Sequence, residues 1–227
     1  MSESEEILGH LRSLADPAAA EGMKRFGINP NSMLGVSVPK IRKLAKEIGK
    51  DHTLAQELWA SGIHEARILA SMVDDAAVVT GGQMELWVRG FDSWDVCDQC
   101  CGNLFDKTAF AYEKAAAWSS RKEEFVRRAG FALMACLAVH DKKADDRKFL
   151  RFLGIIKRES GDGRNFVRKA VNWALRQIGK RNARLHAAAI ETAEKMRKSD
   201  PKSARWIAAD ALRELRSGAV RKRLARG

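Results

Sequence analysis

The sequence has little proline, little cysteine and no long apolar run, and each shortage narrows what the chain can be. Its 227 residues include four prolines, and no apolar stretch approaches the roughly 18 residues that a membrane span requires. The first residues, MSESEEILGHLRSLADP, are acidic and lack the cationic start and apolar block of an export signal, so a cytoplasmic location is expected. Of the four cysteines, Cys97, Cys100 and Cys101 fall within five positions and Cys136 stands apart. That crowding argues against disulfides stapling distant segments and fits reduced thiols. A structural zinc usually takes four ligands, often as two separated pairs. Only Cys136 and His140 stand ready to complete such a set, and Cys97 with Cys101, four apart on a helix, serves equally well as small apolar packing. We therefore expect neither metal nor cofactor. The histidines His10, His52, His64, His140 and His186 lie in separate segments, and no Ser-His-Asp arrangement, glycine-rich phosphate loop or HExxH occurs. Nucleotide-driven chemistry and standard hydrolase triads are disfavoured.

What is present is a folded, basic chain. Apolar residues make up 45% and charged residues 31%, the balance of an ordinary globular protein. The length predicts a single domain over 1–227, with 218–227 as a flexible basic tail. The net charge of +12 is unevenly spread: residues 1–120 carry 12 Lys/Arg against 17 Asp/Glu, and residues 121–227 carry 29 against 12. All the excess positive charge is in the second half. This points to a polyanionic partner, nucleic acid or an anionic membrane surface, with an inert basic surface as the plain alternative.

Apolar residues recur at spacings of three and four, as in Ile41-Leu44-Ala45-Ile48 and Phe125-Ala129-Ala132-Leu133-Cys136-Leu137, which predicts helices burying one face. Val36-Ser37-Val38 is the clearest strand-like run. Asp16-Pro17 and Asp200-Pro201 each read as an N-cap followed by proline in the first helical position. The Gly, Pro, Asn and Ser content of residues 26–37 predicts a loop. In all, about a dozen helices are expected, joined by short turns. FVRRAGFALM from Phe125 aligns with FVRKAVNWAL from Phe166 at an offset of 41. A further offset of 37 carries Arg168, Ala174, Leu175 and Arg176 onto Arg205, Ala211, Leu212 and Arg213. A period near 40 is that of HEAT and armadillo arrays, in which helix pairs stack because one pair cannot bury its apolar face alone. The fold class expected is all-α, a right-handed solenoid of HEAT-like repeats with a basic concave cleft; a nonrepetitive bundle is the alternative. Repetition would set arginines on equivalent surfaces as a row able to follow a phosphate backbone. Its members are Arg127, Arg168, Lys169, Arg176, Arg205 and Arg213.

The most informative stretch is GFDSWDVCDQCCGNLFDK, residues 90–107. With Ser93 as N-cap, Trp94 and Asp98 share one helical face, one turn apart. An aromatic plane beside a carboxylate suits a developing cation. The plainer reading is a core tryptophan beside an ordinary polar contact.

The SWDVCD, FVRRAG and FVRKAVNWALRQIGK segments, in this order, resemble the bacterial DNA alkylation repair family of the AlkD type, HEAT-like-repeat DNA glycosylases. The resemblance implies that Trp94, Asp98, Arg128 and Trp173 line a DNA cleft. The two indoles would hold the deoxyribose of the damaged nucleotide. Asp98 would stabilise an oxocarbenium-like state and orient water, while Arg128 would fix a nearby phosphate. The implied substrates are cationic N3- and N7-alkylated purines in duplex DNA, cut without flipping the base, contrary to the usual rule for glycosylases. Arg127 replaces Arg128 as the inward residue if the helix is rotated. The reading is thus a monomeric, monofunctional alkylpurine DNA glycosylase without a membrane partner. A noncatalytic solenoid recognising distorted or branched DNA is the second possibility, and a scaffold for acidic proteins the third.

Overall fold

The computed structural model describes residues 2–29 and 32–225. Among them the chain is all helical, with fourteen α-helices, one 3-10 turn and no strand, and no helix is long and apolar enough to cross a membrane. The fold divides into two compact units, Met1–Phe110 and Ala111–Gly227.

The first unit contains α1 (Glu3–Ser13), α2 (Pro17–Lys24), α3 (Val38–Ile48), α4 (His52–Ala60), α5 (His64–Val73), α6 (Gly81–Arg89) and α7 (Trp94–Asn103), followed by the 3-10 turn Phe105–Lys107. Helices α3, α5 and α7 lie side by side, with α1 and α4 packed against α5. Trp59 of α4 stacks on Trp87 of α6 with ring centroids 4.2 Å apart and planes within 3°, and Phe91 and Phe105 extend the cluster. Local chemistry sets the helix starts. Ser2 and Glu5 form a capping box on α1, and the side chains of Asp16, Asp51 and Thr80 accept N–H bonds from Ala19, Leu54 and Gln83. Each such cap contributes about 1 kcal/mol. The strand-like Val36-Ser37-Val38 instead leads directly into α3, whose first two positions are Val38 and Pro39. The loop before it is as expected, although Pro30 and Asn31 lie outside the described residues.

The second unit contains α8 (Ala111–Trp118), α9 (Glu124–His140), α10 (Asp146–Glu159), α11 (Asn165–Gly179), α12 (Ala183–Arg197), α13 (Lys202–Leu215) and α14 (Gly218–Leu224). Alternate helices form two layers: α9, α11 and α13 pack in series, while α8, α10 and α12 back them. Helix α9 is buried on all sides over 128–138, and its small residues allow close packing. A Cβ on Gly130 would lie 2.5 Å from the Ser119 backbone nitrogen. The 41- and 37-residue offsets are visible as register. Arg127, Arg168 and Arg205 each occupy the fourth position of α9, α11 and α13. The rings of Phe125 and Phe166, one offset apart, have centroids separated by 5.6 Å. Hydrogen bonds link residues at separations close to these offsets, 36 to 43 positions: Arg164 to the Lys122 carbonyl, Asn172 to Asp210, Asn182 to Asp146, and Ser203 to the Ser160 carbonyl.

Two local expectations are corrected. Helix α13 starts at Lys202 with Pro201 as its N-cap, one residue later than Asp200-Pro201 suggested. The Asp200 carbonyl is engaged by Arg205 at 2.5 Å. The basic segment expected as a tail is helical over Gly218–Leu224, where Ser217 caps the Val220 N–H and Val220 is buried. Arg226 and Gly227 lie outside the described residues.

Candidate nucleic-acid interface

Helix α7 carries three features in its first five residues. Ser93 holds the N-cap position, although its side chain makes no cap bond. Trp94 is half-buried, and its indole Nε1 donates to the Phe26 carbonyl at 3.0 Å. One turn on, Asp98 is also half-buried. Asp95, between them, is buried and pairs with buried His64, Nε2 to Oδ2, at 2.8 Å. Its other oxygen accepts the Val96 N–H at 2.9 Å. Burial disfavours charge on both members of this pair. The mutual hydrogen bond and attraction outweigh it, raising the His64 pKa and lowering that of Asp95. Two carboxylates three residues apart therefore have different occupations: Asp95 locks α7 to α5, and Asp98 lies nearer solvent.

The loop before α3 is stitched to this region. Buried Glu65 of α5 accepts the N–H groups of Leu34, Gly35 and Val36 at 2.9, 2.7 and 3.2 Å. Gly35 has φ +81°, and a Cβ there would lie 2.1 Å from the Asp16 carbonyl oxygen, so only glycine fits. Asn29 donates to Asp92 at 2.8 Å. These ties hold Phe26, whose residue is 68% exposed, next to the Trp94 indole through its own carbonyl. Sequence reasoning did not single out Phe26. A large aromatic amid Gly, Pro, Asn and Ser was the available signal. Cys97, Cys100 and Cys101 are buried in α7, and burial pushes the Cys100 thiol well above its ordinary pKa. Among the described residues, no three or more His, Cys, Asp or Glu side chains gather as a metal ion would require.

In the second unit, Arg128 of α9 is 6% exposed and donates from Nη1 to the Phe166 carbonyl at 2.6 Å. Its neighbour Arg127 is held between Glu159 and Asp162. Trp173 is half-buried on α11, seven residues beyond Phe166. The row of cations is present as a register, but most members are engaged within the protein. Arg168 lies over the Trp206 ring at 4.3 Å, and Arg176 and Lys180 share Glu214 at 2.5 and 2.6 Å. Arg205 donates to the Ser199 and Asp200 carbonyls, and Arg213 pairs with Asp210. Lys169 is exposed. Arg127 and Arg176 thus tie one repeat to the next, a duty invisible in a count of charges.

The family model described as DNA alkylation repair enzyme matches residues 7–215. The chain belongs to this DNA alkylation repair family. A solved structure described as belonging to "a new family of proteins related to the HEAT-like repeat DNA glycosylases with affinity for branched DNA structures" superposes with a TM-score of 0.81 at 20% identity. That match covers 98% of this chain and 96% of the other. The repair-family chain therefore has the HEAT-like-repeat fold expected from its 41- and 37-residue offsets. No curated protein matches it.

Proposed function

We propose that this repair-family protein is a DNA glycosylase that releases cationic N3- and N7-alkylated purines from duplex DNA. The carrying observation is a half-buried carboxylate, Asp98, one turn along α7 from Trp94, whose indole is tied to the Phe26 carbonyl. An alkylated purine already bears positive charge, so it leaves without general-acid protonation. The bond from C1′ to the base nitrogen breaks, its electron pair leaves with the now neutral purine, and positive charge develops on the sugar. A carboxylate and an aromatic face stabilise that charge more than the ground state. Asp98 serves this role and orients the water whose oxygen bonds to C1′; the water's proton passes through the carboxylate to solvent. Trp94 packs on the sugar, with Phe26 as a further aromatic face beside it. Arg128 and Trp173 take the phosphate- and sugar-holding roles that the sequence resemblance implies, with the base left in the duplex.

Incubating purified protein with methylated duplex DNA and identifying freed bases by chromatography tests this directly. Free 7-methylguanine or 3-methyladenine is expected. If heavily methylated DNA yields neither, the enzymatic reading is wrong.

One observation favours a second reading, noncatalytic binding of branched or distorted DNA: the solved relative at 20% identity is described by its affinity for branched DNA. Strong, salt-dependent binding of branched duplexes without base release is its signature.

A further inference from the structure

The first unit is acidic by count, with 11 Lys/Arg against 16 Asp/Glu over residues 1–110. Four of those eleven cations nevertheless line one open cleft of about 240 Å³. They are Arg42 and Lys46 of α3, Lys50 just after it, and Lys107 of the 3-10 turn; Ala45, Met72 and Asn103 complete the wall, without an acidic side chain. Lys50 Nζ donates to the Met72 and Asp74 carbonyls at 2.9 and 2.6 Å, and Lys107 Nζ to the Asn103 carbonyl at 2.6 Å. These two lysines cap the C-terminal ends of α5 and α7, which is a structural duty in itself. Arg42 and Lys46 are exposed, one turn apart, and have no such duty. Burial first, and then the charge of Lys107, lowers the Lys50 pKa, while the charges of Asp74 and Asp75 work against that shift. Four of the residues lining the cleft are cations and none is an anion, a lining that suits an anionic ligand.

We infer that this cleft holds a backbone phosphate of the DNA strand engaged by α7. The inference rests on the DNA reading above and extends it to a contact surface outside the basic second half. Asn103, in the cleft wall, follows Asp98 by five residues on α7, about 7.5 Å of helix, so the same helix carries the carboxylate and reaches the cleft.

The test compares full-length wild type, Arg42→Ala/Lys46→Ala and Lys43→Ala by fluorescence anisotropy with a labelled undamaged duplex over a salt series. Lys43 is on the same helix with its side chain 82% exposed, but does not line the cleft. The double variant should keep the wild-type melting temperature, bind more weakly, and lower the slope of log K against log salt by about one, the change expected when one phosphate is no longer neutralised. Lys43→Ala should leave the slope unchanged. A steep wild-type slope retained by the double variant overturns the cleft while sparing the DNA reading, and so does an equal loss in Lys43→Ala. A wild-type protein that binds no duplex overturns both.

Discussion

Replacing Asp98 by Asn removes one negative charge and almost no volume, and Coulomb's law bounds the effect. Asp98 is half-buried, so an effective dielectric of about 20 applies, and a carboxylate about 4 Å from a full positive charge then contributes about 4 kcal/mol. At 1.36 kcal/mol per decade that is about a thousandfold in rate, the upper end of the ~10²–10³ typical of one electrostatic group. Asp98 is less buried than Asp95, so stability should fall by less than it does in Asp95→Asn. Asp95→Asn should do the reverse. It breaks a buried pair with His64, and leaving one partner uncompensated costs about 3–5 kcal/mol. A chain of 227 residues has an unfolding entropy of about 0.48 kcal/mol/K, so its melting temperature should fall by about 6–10 °C. Single-turnover base release and thermal unfolding, run on both variants, separate the two carboxylates. An Asp98→Asn protein that releases bases at the parental rate, or melts as early as Asp95→Asn, refutes the assignment.

The His64–Asp95 pair also sets a pH dependence. His64 has a raised pKa, so its contribution is full below its unfolded value of about 6.5 and is lost as pH rises through the folded value. Asp95 has a lowered pKa, so its contribution is present above about 3.9 and is lost as pH falls through the folded value. The urea midpoint should therefore decline between pH 6 and pH 9, a decline that His64→Gln should flatten; an unaltered profile in the variant would show that the pair carries no linkage. Gly130→Ala should destabilise the second unit by about 1–3 kcal/mol, because its Cβ would meet the Ser119 backbone at 2.5 and 2.9 Å and force α8 from α9. Thermal unfolding checks this, and an unchanged midpoint would mean that the helices separate freely.

Much of the fold was legible because helix formation is local. The spacing of Phe125, Ala129, Ala132, Leu133, Cys136 and Leu137 is enough to place α9, and Asp16-Pro17 starts α2 where expected. Register at α9, α11 and α13 followed from the repeated Phe-Val-Arg steps and Arg205. What failed was whatever depends on partners far along the chain. Val220 finds a buried place, so a run of basic residues becomes a helix. Arg127 meets Glu159 and Arg176 meets Glu214, acids 32 and 38 residues away that no local pattern announces. The Trp94–Asp98 spacing could be read from one helical turn, whereas the commitment of Asp95 depended on His64, 31 residues earlier. Counting charge by halves concealed the cations around α3, since a net value averages over a surface on which they are clustered.

The sealed sulfurs of α7 bear on how such a molecule survives its surroundings. Electrophiles that methylate ring nitrogens attack thiolates as well, and a thiol kept dry and protonated offers them little. Cys97, Cys100 and Cys101 are all buried, and deprotonating Cys100 is strongly opposed by its environment. An adduct on any of them would wedge a foreign group into the helix that presents Asp98. Burial keeps these soft nucleophiles out of reach of such electrophiles.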